Sequence, residues 1–164
     1  MSDTIHLYVN MPGNHVPGTS FSTIGEALAS LDGNAETGER QFPAPVSGLA
    51  PVILHIGRGI YREKLVITRP NVTFEGAGCN DTILVYGDAA KDLMPEGDKR
   101  GTFRTASVRI DTHDFTAKHL TFQNDSGYGH TVGQALAVYV DGDRNAFYDC
   151  RFLGSQDTIF DAPL

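Results

Sequence analysis

The feature that most constrains the fold is a series of short apolar strands that repeats at fixed intervals. From Val52 onward, segments such as VILHI, VTFEG and ALAVYV alternate with turns rich in Gly, Asn and Asp, with no helical segment between them. A shift of 30 residues aligns apolar with apolar positions and Asp with Asp. The aligned pairs are Val108 with Val138, Ile110 with Val140, Asp111 with Asp141, Leu120 with Cys150 and Phe122 with Phe152.

A second shift, of 22 residues, places GQALAV on SQDTIF. The longer interval contains the Gly-rich segment NDSGYGHTVG, and about 20 to 22 residues per repeat remain without it, the length of one coil in a parallel β-helix. We therefore predict an all-β solenoid whose strands pair in parallel around one apolar core. The pairs predicted by this shift are Gln134 with Gln156, Ala137 with Ile159 and Val138 with Phe160.

Before the repeats, the sequence predicts one strand and one helix. The strand is Ile5–Val9, and the helix lies within TSFSTIGEALASLDG, where Thr23 and Glu26 have capping-box spacing and Gly33 follows the helix. We expect this short helix to cap the open end of the solenoid, which otherwise presents unpaired strand edges. Residues 34–51, rich in Pro and Gly, are predicted to form an exposed loop, and residues 1–164 a single domain.

Charge and composition argue against several partners. With 13 Lys and Arg against 20 Asp and Glu, the net charge of −7 disfavours binding to nucleic acid or to an anionic membrane. The basic residues are Lys99, Arg100, Arg104 and Arg109. They could bind an anion or could simply be solvated charges on the surface. No segment has membrane-spanning length, and no secretory leader is visible. Both a cytoplasmic location and secretion with the leader removed stay open.

Cysteine and histidine positions indicate neither a disulfide framework nor a metal site. Two cysteines, Cys79 and Cys150, are too few for a framework and are expected to be free, buried thiols. The six histidines show no ligand spacing, and His113 and His119 lie six apart in a strand and turn. Neither a G-x-S-x-G elbow nor a phosphate-binding glycine loop is present.

Three polar residues are candidates for chemistry. Gln134 and Gln156 are expected on adjacent coils, where their amides could hold an oxyanion or could form a structural amide ladder. Asp157 could protonate a leaving alkoxide or could cap the backbone of a turn. Because neighbours in a strand point to opposite faces, Gln156 and Asp157 share a site only if the backbone is irregular, which Gly154 and Ser155 would allow.

The chain resembles the pectin methylesterases along nearly its whole length. The resemblance rests on seven segments in the same order: FSTIGEAL, YREKLVI, VTFEGAG, GTFRTASV, FTAKHLTFQNDSG, GQALAV and SQDTIF. It implies a right-handed parallel β-helix that hydrolyses the methyl ester of galacturonate units in pectin and releases methanol. It implies no metal or cofactor, and pectin as the partner.

The resemblance also implies roles for individual residues. In that family an aspartate attacks the ester, two glutamines hold the oxyanion, and a second aspartate protonates methanol and then activates water. By position, Gln134 and Gln156 are similar to the oxyanion donors and Asp157 to the acid and base. The residues that the resemblance implies as substrate contacts are Thr102, Tyr139 and Phe160.

The attacking aspartate of the family has no counterpart in this sequence. It belongs to a DFIFG-like segment one coil later, near position ~178, whereas the sequence ends at Leu164 and also lacks the family's LGRPW segment with its orienting arginine. Asp161, in FDAPL, is not assigned that role. We therefore expect a solenoid truncated at its C-terminal side, without esterase activity alone and prone to self-association through the exposed end.

Two other functions fit a β-helix. One is a pectate lyase, which normally requires calcium, although the acidic residues form no evident cluster of oxygen ligands. The other is a non-catalytic solenoid that binds carbohydrate. Calcium-dependent unsaturated products would identify the lyase, and pectin binding without turnover would identify the binding module.

Overall fold

The computed structural model describes residues 4–13, 16–31 and 49–162 of the chain. Within these ranges the structure is nearly all strand, with one α-helix, α1 (Ile24–Ala29), and one 3-10 helix (Thr102–Arg104). In chain order the strands are β1 (Ile5–Val9), β2 (Ser20–Phe21), β3 (Val52–Ile56), β4 (Gly59–Arg62), β5 (Leu65–Ile67), β6 (Val72–Gly76), β7 (Thr82–Tyr86), β8 (Val108–Asp111), β9 (Thr116–Lys118), β10 (Thr121–Asn124), β11 (Val138–Asp141), β12 (Ala146–Tyr148), β13 (Arg151–Leu153) and β14 (Ile159–Asp161).

The strands form three parallel sheets that wind around a common axis. The first sheet has the order β12-β9-β6-β3-β1-β2, the second β13-β10-β7-β4 and the third β14-β11-β8-β5. From β3 onward, each coil therefore contributes one strand to each sheet in turn, and every pairing is parallel. The predicted parallel β-helix is confirmed.

The registers largely agree with the repeat intervals in the sequence. Val52 pairs with Val72, the equivalent position of the next coil, with no insert between them. The pairing of β8 with β11 and of β10 with β13 follows the longer of the two predicted intervals. The shorter interval is not kept in the third sheet, where Val138 pairs with Ile159 instead of the predicted Phe160.

Alternation along each strand places one set of side chains inside the solenoid. In β3, Val52, Leu54 and Ile56 are fully buried while the residues between them lie on the outer face. Aromatic rings continue this core across coils, because Phe74 meets Phe115 edge-on at 5.2 Å between ring centroids. Burial of this apolar stack, at about 25 cal/mol per Å², is the main stabilising term available to a fold with so little helix.

The corners between sheets interrupt segments that look continuous in the sequence. The segment AFYDCRF has the composition of one strand, but β12 and β13 are separated by a corner at Asp149, whose φ is 49°. His119, one coil earlier, has the equivalent conformation with φ of 56°. Only a left-handed residue turns the chain this sharply, and Asn, Asp and His tolerate that conformation better than most residues.

The helix α1 packs against β1 and β2, at the N-terminal end of the first sheet. The predicted capping box is present, since Thr23 accepts from the Glu26 amide and the Glu26 carboxylate accepts from the Thr23 amide. The Glu63 carboxylate also accepts from the amides of Ile24 and Gly25 at 2.9 and 2.8 Å, which fastens the helix to the first full coil. The expected capping helix is confirmed, whereas Gly33 and most of the predicted 34–51 loop lie outside the described residues.

The two cysteines form no disulfide in the structure. Cys79 and Cys150 are both free, as predicted, but are half-buried rather than buried. Burial raises the pKa of the Cys150 thiol, because the thiolate is less well solvated there than in water. This thiol is therefore less reactive than an exposed cysteine at neutral pH.

Candidate functional site

The candidate site lies at the corner where the second sheet passes into the third. This second-to-third corner spans only residues 63–64 in the first full coil but 87–107 and 125–137 in the next two coils, which we name the first and second inserts. In the last coil it spans 154–158. The residues predicted from sequence that lie in this corner or on the strands following it are Thr102, Gln134, Tyr139, Gln156, Asp157 and Phe160.

Backbone hydrogen bonds bring the two glutamine segments together. The Ala135 amide donates to the Gln156 carbonyl at 3.1 Å, which sets Gln156 beside Gln134 in the parallel register that the shorter sequence interval predicts. The Gln134 carbonyl accepts from the Ala90 amide of the first insert at 2.8 Å. Gln134 is half-buried and Gln156 is exposed.

The backbone is irregular at Asp157, as a shared site with Gln156 requires. Asp157 is exposed and has a φ of 55°, so its side chain does not follow the simple alternation of a strand. Gly154 is needed at this turn, because a Cβ there would lie 2.9 Å from Oγ1 of Thr158. The Ser155 hydroxyl donates to the Gly127 carbonyl at 2.6 Å and so ties the turn to the second insert.

The register changes by one residue between the glutamines and the strands that follow them. The amides of Ala137 and Val138 both donate to the Thr158 carbonyl, at 2.9 and 3.2 Å, so the earlier of the two coils accommodates one extra residue, at Ala137. Val138 then pairs with Ile159, and Tyr139 with Phe160. The predicted pairs of Ala137 with Ile159 and Val138 with Phe160 were therefore wrong by one position.

The corrected register stacks two of the predicted substrate-contact residues. The rings of Tyr139 and Phe160 lie 5.3 Å apart with an interplanar angle of 22°. Phe103, next to Thr102 in the 3-10 helix of the first insert, meets Phe160 at 4.9 Å and Tyr139 at 6.0 Å, edge-on in both cases. We call Phe103, Tyr139 and Phe160 the aromatic cluster.

Phe103 was not among the residues predicted from sequence, although it directly follows Thr102. About half of its surface is exposed, at 53%. A large ring left exposed beside two others makes an apolar platform of the kind that packs on the carbon face of a sugar. The signal in the sequence was an aromatic residue inside a turn-rich insert, which nothing in the repeat could place against β11 and β14.

The guanidinium of Arg109 packs on the ring of Tyr139, a member of the aromatic cluster. The Arg109 guanidinium carbon lies 4.2 Å from the centroid of the Tyr139 ring, within cation–π range. Its Nε donates to both carboxylate oxygens of Asp111 at 2.7 Å. Tyr139 is therefore held between Arg109 on one side and Phe160 on the other, which fixes the orientation of its ring.

Buried Asn124 fastens both inserts to the solenoid. Its side-chain amide donates to the carbonyls of Asp88, Thr105 and Leu136 at 2.9, 3.2 and 3.0 Å, and its Oδ1 accepts from the Ser126 amide at 3.0 Å. It thus connects the start and end of the first insert with the end of the second. Sequence reasoning missed this residue because Asn at the end of a strand usually indicates only a turn.

Thr105 provides a second connection between the inserts. Its hydroxyl donates to the Thr102 carbonyl at 2.6 Å and accepts from the Leu136 amide at 2.9 Å. Thr105 is fully buried, so both halves of its hydroxyl are used and no polar group is left unpaired there. The positions of Thr102 and of the chain just after Gln134 consequently depend on each other.

The predicted basic stretch is not one free basic surface. Arg100 contacts Asp88 at 3.0 Å and Asp92 at 3.6 Å, and Arg109 is bound by Asp111. The ammonium of Lys64 also pairs with Asp88, whose side chain is largely buried. Lys99 and Arg104 are exposed. Arg100 therefore stabilises the first insert, and the charge of Arg109 is paired on β8, so two of the four residues do not present a free charge to a ligand.

Within residues 4–13, 16–31 and 49–162, no group of three or more His, Cys, Asp or Glu side chains is arranged to hold a metal ion. In the same ranges no helix has the length and apolar character needed to cross a membrane.

Comparison with known proteins agrees with this arrangement. Residues 18–162 match the Pectinesterase family. The chain belongs to the pectinesterase family. Among curated relatives, 123 residues are 41% identical to pectinesterase QRT1 of Arabidopsis thaliana, covering 71% of this chain and 32% of that protein. Pectinesterase A of Dickeya chrysanthemi is 32% identical over 157 residues, covering 87% of this chain and 39% of that protein.

Solved structures of the family share the fold. Pectin methylesterase PemA from Erwinia chrysanthemi superposes with a TM-score of 0.74 and 29% identity, covering 98% of this chain and 46% of that one. A pectin methylesterase solved in complex with a hexasaccharide gives the same TM-score at 30% identity, also covering 98% of this chain and 46% of that one. The pectinesterase-family chain thus spans less than half of the length of these relatives.

Proposed function

We propose that this pectinesterase-family chain supplies part of a site that hydrolyses the methyl esters of galacturonate units in pectin, releasing methanol and leaving a carboxylate. The observation that carries the proposal is the hydrogen bond from the Ala135 amide to the Gln156 carbonyl, because it joins the two glutamine segments side by side. Membership of the family and the hexasaccharide bound to one of its relatives support pectin as the ligand.

In this proposal the glutamine side chains act as oxyanion donors. Attack on the ester carbonyl moves negative charge onto its oxygen, and two amide N–H groups aimed at that oxygen stabilise it most in the transition state. Loss of one such donor typically costs about 2.7 to 4 kcal/mol of transition-state stabilisation. The amide-ladder alternative makes a different prediction, because a ladder would affect stability and leave turnover unchanged.

Asp157 is proposed as the general acid and then the general base. It first gives a proton to the departing methoxide, so that methanol leaves as a neutral molecule, and it then removes a proton from the water that releases the enzyme. Its exposed position at an irregular turn leaves the carboxyl accessible to a ligand. The aromatic cluster beside it would support the sugar ring, with Thr102 at its edge.

The attacking aspartate that the family resemblance implies is not assigned to any residue of this chain. We therefore expect the 164-residue polypeptide to bind methylated oligogalacturonides without releasing methanol above background. By itself the 164-residue chain would then behave as a carbohydrate-binding module, while its residues form part of a pectinesterase site. A lyase would instead yield unsaturated oligogalacturonides in the presence of calcium.

The test measures binding and methanol release in parallel. Calorimetry with a methylated hexagalacturonate should show binding that weakens in Gln156→Ala, with Tyr148→Ala as a control on the outer face of the first sheet. Methanol release by the chain itself, abolished in Asp157→Asn, would contradict the absence of an attacking group. No binding by a folded chain would contradict the proposed site. A second polypeptide is extended by the residues encoded downstream of the Leu164 codon. If those residues include a DFIFG-like segment, this longer chain should release methanol, and Asp157→Asn should abolish that release.

A further inference from the structure

Two imidazole rings face each other on the outer surface of the first sheet, at its N-terminal end. His6 lies on β1 and His55 on β3, and Nδ1 of His6 is 3.0 Å from Nε2 of His55. The rings are nearly parallel, with an interplanar angle of 6° and a centroid distance of 5.3 Å. The Tyr8 ring stacks on His55 at 5.0 Å and helps to hold it in this orientation.

A carboxylate fixes the protonation of this pair. Glu75 on β6 is the neighbour of His55 in the sheet register, and its Oε2 lies 3.2 Å from Nδ1 of His55. A proton on that nitrogen is stabilised by the carboxylate, so in neutral His55 the lone pair is on Nε2, which faces His6. His6 then donates its Nδ1–H to His55. One proton is therefore shared between Nδ1 of His6 and Nε2 of His55, and both nitrogens are potential metal ligands.

We propose that His6 and His55 form a binding site for a divalent transition-metal ion that favours tetragonal geometry, Cu²⁺ or Ni²⁺. The metal would take the place of the shared proton, which leaves Nδ1 of His6 to solvent while Nε2 of His6 takes up a proton from solvent. A carboxylate bound to the far nitrogen of a ligating histidine is the usual outer-shell partner of such sites, and Glu75 occupies that position.

The separation of the two nitrogens is consistent with this geometry. At a metal–nitrogen bond length of about 2.0 to 2.1 Å, two nitrogens 3.0 Å apart subtend an angle of about 94° at the metal. That angle is close to the right angle between adjacent ligands of a square-planar or octahedral ion. Since the described residues hold no cluster of three or more candidate ligands, solvent would complete the coordination.

The site is distinct from the second-to-third corner and links different elements. His6 belongs to β1, the strand that α1 packs against, and His55 belongs to the first full coil. These residues are 49 positions apart, which is why their spacing gave no signal in the sequence. A bound ion would cross-link the N-terminal strand to the solenoid and would stabilise the folded chain by mass action.

The experiment titrates Cu²⁺ and Ni²⁺ separately into the chain by calorimetry, in a non-chelating buffer at pH 7.5. We expect one ion per chain, an affinity at least tenfold lower in His6→Ala and in His55→Ala, and an affinity about tenfold lower in Glu75→Gln. His119→Ala is the matched control, because His119 is also exposed and also pairs with a carboxylate, Asp149, and it should leave the affinity unchanged.

Spectroscopy and a comparison of metal ions distinguish metal binding by His6 and His55 from a purely structural role of these residues. Electron paramagnetic resonance of the Cu²⁺ complex should show two imidazole nitrogens in the original chain and one in His6→Ala. Equal affinity in the original chain and His6→Ala would overturn the proposal, as would an equal loss in His119→Ala. Tighter binding of Zn²⁺ than of Cu²⁺ would overturn the assigned geometry.

Discussion

Two corners of the same solenoid are built in opposite ways. The third-to-first corner spans four residues in each of three coils, 68–71, 112–115 and 142–145. A left-handed residue recurs at the equivalent position each time, as Asn71, Asp114 and Arg144. The second-to-third corner varies from two residues in the first full coil to the whole first insert in the next.

The difference shows how a repetitive fold acquires a site. The short corner is held by side chains that reach one coil along, as Arg144 does with Asp114 and Asn145 with the backbone of Thr112 and Phe115. The long corner needs buried polar side chains inside the solenoid wall, namely Asn124 and Thr105, to hold backbone that no sheet can pair. A rigid scaffold with one variable corner is the general arrangement for functional loops.

The strongest test of this comparison removes one asparagine from each corner. Asn124→Ala should lower the free energy of unfolding by about 3 kcal/mol, because it removes the hydrogen-bond partner of the Asp88 and Thr105 carbonyls and of the Ser126 amide. Asn145→Ala, at the short corner, should cost about 1 kcal/mol, since Asn145 is only half-buried and its hydrogen bonds are partly exposed to solvent. Chemical denaturation measures both. Hydrogen exchange should accelerate across both inserts only in Asn124→Ala, and equal, local effects would remove the distinction between the corners.

The second test concerns the charges that hold the first insert. Asp88→Asn should destabilise the chain by about 2 kcal/mol, because Lys64 and Arg100 lose a largely buried partner. Asp125→Asn is the matched control, since its ion pair with Arg62 is more exposed and worth about 0.5 kcal/mol. Thermal unfolding of the two variants at the same pH and ionic strength provides the comparison. A larger loss in the control would show that the insert is held by its backbone alone.

The third test separates binding from stability at the long corner. Phe103→Ala should weaken binding of methylated oligogalacturonides about tenfold, the equivalent of roughly 1.4 kcal/mol, because the exposed edge of the aromatic cluster is lost. Its effect on unfolding should stay within about 0.5 kcal/mol, as for most exposed positions. Tyr148→Ala, a similarly exposed ring on the first sheet, should leave binding unchanged. Equal losses in the two variants would mean that binding is not localised to the cluster.

The smallest effect is expected at the short corner and depends on pH. Arg144 and His113 hold the pKa of Asp114 well below its ordinary value. A lowered carboxyl pKa contributes stability that is present above the unfolded value of about 3.9 and is lost as the pH falls through the folded value. Arg144→Met should therefore raise the pKa of Asp114 and reduce the loss of stability on acidification below about pH 4. Carboxyl NMR titration checks this, and an unchanged pKa would show that Arg144 does not set it.

The solenoid could be predicted because the strands of two successive coils are related by one constant interval of 30 residues. Val108 and Val138, or Phe122 and Phe152, are aligned by a constant interval, and apolar alternation reveals which face is inside. The corners between sheets were harder to predict from the sequence. Thr116–Lys118 was missed as a strand because three residues before a left-handed bend carry too short an alternation to be recognised.

The candidate site was predictable only in part. Gln134 and Gln156 were identifiable because they fall at equivalent positions of successive coils, Asp157 was identifiable as the neighbour of Gln156, and the family resemblance supplied their roles. Phe103 and Asn124 were not, since their contacts depend on how two irregular inserts return to the solenoid. The pair His6 and His55 joins a strand to a coil across residues that follow no repeat, so no periodic signal precedes it.

The extra residue at Ala137 has a consequence for how this site can evolve. One carbonyl, that of Thr158, accepts from two successive amides, so the amides of the glutamines and the rings of Tyr139 and Phe160 follow different numerical offsets. Deleting a single residue there would leave one offset for both segments. Either the pairing of the two glutamine segments or the pairing of Tyr139 with Phe160 would then be lost. A point insertion or deletion, harmless in most surface loops, would at this position shift the glutamine segments relative to the aromatic cluster.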